Sequence, residues 1–169
     1  MKKVIKGSAH VFGANLDTDQ IYPGQYLELV EAEDIGRHAM EGAAPDFAKI
    51  FRPGDIIVAA TNFGCGSSRE HAAIALKALG AGVILAESFA RIFYRNAINL
   101  GLPLLVSPKI ADHVSPGDVL IVDLAKGGVQ NENTGAELRA EPMSAYVFDI
   151  LESGGIKPLV RKQLASLSE

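Results

Sequence analysis

The sequence predicts an α/β domain with a parallel βαβ core and an added β-hairpin, and three observations carry that prediction. The short apolar runs Ile56–Ala60 and Val83–Ala86 have the unbroken hydrophobicity of strands buried on both faces. Each is followed by a loop and a helix-forming stretch that stops at glycine, Gly80 in one case and Gly101 in the other. Further on, Asn133-Thr134-Gly135 sits inside Val129–Ala140 as the turn of a hairpin.

The elements follow in order. Val4–Phe12 alternates irregularly and reads as a first strand, running into the polar loop Gly13–Gln20. Gln25–Ala44 mixes helix formers with acidic residues on a weak apolar pattern, which predicts one short helix inside a long, mobile loop. Pro53-Gly54-Asp55 is a turn before the strand at Ile56, and Thr61–Gly66 is a glycine-rich loop after it. Ser67 and Glu70 have capping-box spacing, so a helix is expected from Ser67 to Leu79. Ser88 is the expected N-cap of a second helix, Phe89–Leu100, and Leu102–Val106 the next strand. Such alternation with short connections implies parallel strands and right-handed crossovers. Val119–Asp123 is a strand, and helices at Ser144–Glu152 and Ile156–Leu167 finish the chain. Nothing in residues 1–169 divides them, so a single domain is expected.

Composition narrows the function classes. Sixteen Lys+Arg against twenty Asp+Glu give a net charge of −4, with no long basic run, which argues against nucleic acid as a partner. Cys65 is the single cysteine, so neither an internal disulfide nor a self-contained cysteine-ligated metal or iron–sulfur site is available. The first residues lack the apolar stretch of a signal peptide, and no apolar run is long enough for a bilayer; a cytoplasmic protein with no membrane partner is the expectation. Mean hydropathy is +0.17 with only 7% aromatic residues, which fits alanine-rich buried strands and also fits a subunit interface.

The densest site candidate is Asn62-Phe63-Gly64-Cys65-Gly66-Ser67-Ser68-Arg69-Glu70-His71. A glycine-rich turn between a buried strand and a helix N-terminus exposes N–H groups to an anion, and Arg69 can grip a carboxylate with two parallel hydrogen bonds. It lacks the Gly-Lys-Ser/Thr of a phosphate loop, the third glycine of a dinucleotide fingerprint and any Gly-x-Ser-x-Gly elbow. Spacing alone leaves the alternative open that the serines merely cap a helix beside a solvated Arg69. Cys65 reads as a small loop residue in preference to a nucleophile, Asp17-Thr18-Asp19 as a turn closing the first strand in preference to a carboxylate cluster, and Arg91 and Arg95 as solvent-facing in preference to an extension of a positive pocket. His10, His38, His71 and His113 form no i,i+4 ligand pair, and no metal site is expected.

Asn62–Ala72, Ser88-Phe89-Ala90-Arg91-Ile92-Phe93 and Asp17-Thr18-Asp19-Gln20-Ile21 together closely resemble the small swivelling domain of the aconitase superfamily, across residues 3–165. As a free chain it is similar to the family of 3-isopropylmalate dehydratase small subunits. The resemblance implies a three-layer β/β/α swivelling domain that works with a larger subunit carrying a 4Fe-4S cluster. It implies reversible dehydration and rehydration of a small 2-hydroxy dicarboxylate, moving a hydroxyl to the neighbouring carbon, in leucine biosynthesis. Self-association of the isolated chain stays open.

The same resemblance implies roles for particular residues. Ser67 matches the catalytic serine base, Asp19 the aspartate of the Thr-Asp motif at the site, and Ser68 and Arg69 the binders of a substrate carboxylate. A serine base needs oxyanion stabilisation from N–H groups and Arg69. The loop after Tyr26-Leu27 is where such subunits read the variable arm of the substrate. Here Glu28, if pointing inward, would repel a third carboxylate, while Leu29 and Val30 suit an alkyl arm. Isopropylmalate is the expected substrate. Dimethylmalate, citraconate or methylmalate, and homoaconitate types remain alternatives, as does a non-catalytic anion-binding module.

Overall fold

The computed structural model describes residues 1–168. Seven strands form one sheet in the order β4-β3-β2-β1-β5-β6-β7. They are β1 Val4–Val11, β2 Ile56–Ala59, β3 Val83–Ala86, β4 Leu104–Val106, β5 Val119–Asp123, β6 Gly128–Asn131 and β7 Glu137–Arg139. β1 to β4 pair in parallel, with Val58 opposite Val11 on one side and Leu85 on the other. From β1 outward through β5, β6 and β7 the pairing is antiparallel, so β1 joins the two halves.

Alternation in β2, β3 and β4 divides their side chains between two cores. Ile57, Ala59, Ile84, Ala86 and Leu104 face the helices, while Ile56, Val58, Val83, Leu85 and Leu105 face Leu120, Val122 and Val129 of the antiparallel half. Helices, parallel strands and antiparallel strands therefore stack as the expected β/β/α layers. Burial on both faces is why these strands read as unbroken apolar runs.

The helices are α1 Thr18–Ile21, α2 Ala32–Gly36, α3 Phe47–Ile50, α4 Glu70–Leu79, α5 Arg91–Asn99, α6 Ala145–Glu152 and α7 Ile156–Ser166. α4 ends at Gly80, whose φ of +92° is the left-handed stop the sequence predicts. Two expected N-caps do not form. α4 begins at Glu70 with Arg69 at its N-cap, and α5 begins at Arg91 with Ala90 there. Ser67 stays in the loop, and the Ser88 hydroxyl instead accepts the Asn62 N–H at 2.7 Å.

The segment expected as a mobile loop is anchored. α2, α3 and intervening turns bury Ile35, Ala39, Met40 and Phe47, and the Met40 N–H donates to the Ile21 carbonyl at 2.6 Å. Among the described residues, no helix is long and apolar enough to cross a membrane.

A candidate active half-site at the strand ends

Because β1, β2 and β3 are adjacent and parallel, the loops leaving their carboxyl ends converge, which is where open parallel sheets bind ligands. The convergence is stitched by backbone hydrogen bonds. The Gly64 N–H donates to the Leu16 carbonyl at 2.8 Å, the Phe63 N–H to Ser88 at 3.0 Å, and the Ala90 N–H to Phe63 at 2.9 Å. Single-residue bridges, Asp17 with Cys65 and Phe63 with Phe89, carry parallel pairing beyond the named strands. The sequence-distant motifs 17–21, 62–72 and 88–93 are thus brought together.

Two glycines shape its floor. Gly64 has φ +81°, and a Cβ there would fall 2.3 Å from Phe93 Cγ; Gly66 turns the loop at φ +95°. The loop then presents Ser67 and Ser68, both exposed, ahead of the α4 N-terminus. Among the described residues, no group accepts a hydrogen bond from the Ser67 or Ser68 N–H. These donors and the helix dipole favour negative charge at this point.

The cavity beside them measures about 190 Å³. One wall holds Thr18, Ser67, Ser68 and Arg69, and the facing wall is the start of α5, with Arg91, Phe93 and Asn96. Ligand pockets commonly enclose about 300–1,000 Å³, so this cavity has the dimensions of part of a site. Arg91, expected to face solvent, is exposed and also lines this wall; Arg95 is exposed away from it. Phe93 closes the motif 88–93 that the sequence singles out, whereas Asn96 lies beyond it, although a helix opening directly after a strand-end loop in a βαβ unit is the signal that locates it.

Arg69 is an anchored cation of this cavity wall. Its Nη1 donates to Asp19 Oδ1 at 2.6 Å and to the Tyr22 carbonyl at 3.4 Å. Asp19 also accepts the Gly24 N–H at 3.0 Å. The hydrogen bond from Arg69, with that from Gly24, holds the Asp19 carboxyl below its usual range. The Arg69 side chain is 23% exposed and that of Asp19 67%, so the guanidinium is seated while the carboxylate sits at the rim.

The residues expected to read the variable arm of the substrate do not line this cavity. Glu28 is exposed, and Leu29 packs against the helical core. Leu27 and Val30, at 40% and 84% exposure, are the apolar side chains this loop presents. Tyr26 holds the loop: its hydroxyl donates to Glu41 Oε1 at 2.5 Å, and its ring stacks on His38 at 3.7 Å.

The other candidates are structural. Cys65 is half-buried and its carbonyl accepts the Thr18 N–H at 2.8 Å. His10 pairs with Asp55 at 2.9 Å, and His71 stacks on the buried Tyr22. Among the described residues, no three His, Cys, Asp or Glu side chains gather as metal ligands. With one cysteine, this donor set does not fit an iron–sulfur cluster.

Residues 41–109 match the aconitase C-terminal domain family. The chain is 53% identical to 3-isopropylmalate dehydratase small subunit 1 of Methanopyrus kandleri over 96% of both chains. It is 51% identical to the methanogen homoaconitase small subunit of Methanothermobacter thermautotrophicus, over 92% of this chain and 90% of that one. The solved structure of a 3-isopropylmalate dehydratase from Methanocaldococcus jannaschii superposes with a TM-score of 0.93 at 41% identity, covering 98% of each.

Proposed function

The chain belongs to the family of 3-isopropylmalate dehydratase small subunits within the aconitase superfamily, and on that premise we propose that it is the cytoplasmic small subunit of a hydro-lyase interconverting 2-isopropylmalate and 3-isopropylmalate in leucine biosynthesis. The observation that carries this is the open half-cavity in which Ser67, uninvolved in capping, stands beside Ser68 and a seated Arg69.

The family resemblance suggests the roles, and the geometry supports them. Arg69 and the Ser68 hydroxyl hold one substrate carboxylate, and Asp19 keeps the guanidinium aimed by occupying Nη1. Ser67 takes the proton from the carbon next to a carboxylate, and its hydroxyl returns that proton in the reverse sense. The free N–H groups and the α4 N-terminus stabilise the serine oxyanion this requires. Water must be excluded for these groups to act at full strength, and the half-cavity does not exclude it alone. A large subunit closes it. Ile92 lines the cavity at 50% exposure, and exposed Leu27 and Val30 follow the Gly24 turn against Arg69, an apolar rim suited to that partner. We assign the 4Fe-4S cluster to the large subunit.

The apolar Leu27 and Val30 favour an alkyl arm, and the Glu28 carboxylate beside them disfavours a third carboxylate on the substrate. The test is reconstitution with a cluster-bearing large subunit and assay of 2-isopropylmalate, citraconate, 2,3-dimethylmalate and homocitrate. The highest kcat/KM is expected for isopropylmalate. Preference for homocitrate would overturn the substrate assignment, and carboxylate binding without turnover in the complex would make the chain an anion-binding module.

A further inference from the structure

We infer that Thr18 is a positioning residue for Ser67, an inference that rests on the reading of Ser67 as the base. Thr18 is 3% exposed and grips the catalytic loop at two points that straddle Gly66. Its N–H donates to the Cys65 carbonyl and its Oγ1 to the Ser67 carbonyl, both at 2.8 Å. Gly66, at φ +95°, is where the loop turns, and a glycine is the residue least able to hold a turn by itself. The restraint comes from outside, from the loop that follows β1.

Thr18 is itself well held. Asp17 Oδ1 accepts the Gln20 N–H at 2.8 Å while Gln20 Oε1 accepts the Asp17 N–H at 3.0 Å, closing a capping box around α1. A β-branched side chain is restricted at χ1, and the hydrogen bond to the Ser67 carbonyl selects the rotamer that aims the hydroxyl at the loop.

The consequence passes through the peptide plane. The Ser67–Ser68 bond is trans, so drawing the Ser67 carbonyl toward Thr18 points the Ser68 N–H to the opposite side. One buried hydroxyl thereby aims an open donor and fixes the backbone that carries the Ser67 side chain. Thr18 Oγ1 also stands 3.5 Å from Ser67 Oγ, but its one proton is committed to the Ser67 carbonyl, so it acts on the serine through the backbone.

The test compares Thr18→Val, which keeps the shape and removes the hydroxyl, with Thr18→Ser, which keeps the hydroxyl. Both are measured in the complex with the large subunit, using 2-isopropylmalate. Thr18→Val is expected to lower kcat about thirtyfold with KM within about twofold and co-elution retained, and Thr18→Ser to recover to within about threefold of wild type. The inference is overturned if Thr18→Val keeps its kcat, if Thr18→Ser is equally impaired, or if Thr18→Val no longer assembles, which would make the hydroxyl purely structural. Ser67→Ala run alongside separates the two readings: an active Ser67→Ala removes the base assignment, whereas an inactive Ser67→Ala beside an active Thr18→Val removes only the role of Thr18.

Discussion

Gly64 and Gly66 lie two residues apart in the same loop, and replacing each by alanine separates the cost of backbone handedness from the cost of lost space. Both are left-handed, at φ +81° and +95°. A Cβ on Gly66 has its nearest neighbours, Asp17 Cβ and Thr18 Oγ1, at 3.5 Å, which is ordinary contact. A Cβ on Gly64 would meet Phe93 Cγ at 2.3 Å and Phe93 Cβ at 2.5 Å. Phe93 has nowhere to go, being 2% exposed and set edge-on to Phe63 at 5.2 Å between ring centroids. An alanine held left-handed costs about 1–2 kcal/mol, offset by about 0.4–1 kcal/mol from the stiffer unfolded chain. Gly66→Ala should therefore lose about 1 kcal/mol. Gly64→Ala adds an overpacking cost of about 1–3 kcal/mol, for a total of about 2–4 kcal/mol. At this chain length each kcal/mol moves Tm by about 2–4 °C, so thermal unfolding should fall about 3 °C for Gly66→Ala and about 5–15 °C for Gly64→Ala. Urea midpoints at a common m-value give the same ranking independently. Equal losses, or a larger loss at Gly66, would refute the idea that α5 is wedged against the loop at Gly64.

Arg69→Lys keeps the charge but loses the planar fork, so substrate KM should rise about tenfold or more in the reconstituted enzyme; an unchanged KM would remove Arg69 from carboxylate binding. Asp55 gives a pH prediction. Burial pushes its carboxyl up, but hydrogen bonds from His10, Arg52 and Ser8 prevail and hold it below the usual carboxylate range. A depressed folded value contributes stability that is present above the unfolded pKa and lost as pH falls through the folded one. The wild-type urea midpoint should accordingly drop more steeply below about pH 4 than that of Asp55→Asn; parallel profiles would contradict this.

The parallel strands were legible because two-sided burial leaves unbroken apolar runs, and Gly80 was legible because its left-handed stop is a local event. The helix start was not. Ser67 and Glu70 have the spacing of a cap, but the turn at Gly66 and the bond from Thr18 keep Ser67 outside the helix, and neither influence lies within the spacing itself. Residues 25–44 looked loose because their anchors, Ile35, Ala39 and Met40, come from successive short turns rather than one helical face. At the site, the glycine loop and Arg69 could be read locally. Arg91 could not be placed on the cavity wall, since that follows from the adjacency of β1, β2 and β3, a property of topology and not of helix periodicity.

The most direct test of Ser67 as the base is the kcat of the two-subunit complex with wild-type chain and with Ser67→Ala, each at saturating 2-isopropylmalate and with assembly checked by co-elution. A fall of about a thousandfold or more, with KM and assembly close to wild type, is the expected result. Turnover within a fewfold of wild type would show that the proton is removed by another group and that this half-site only binds substrate.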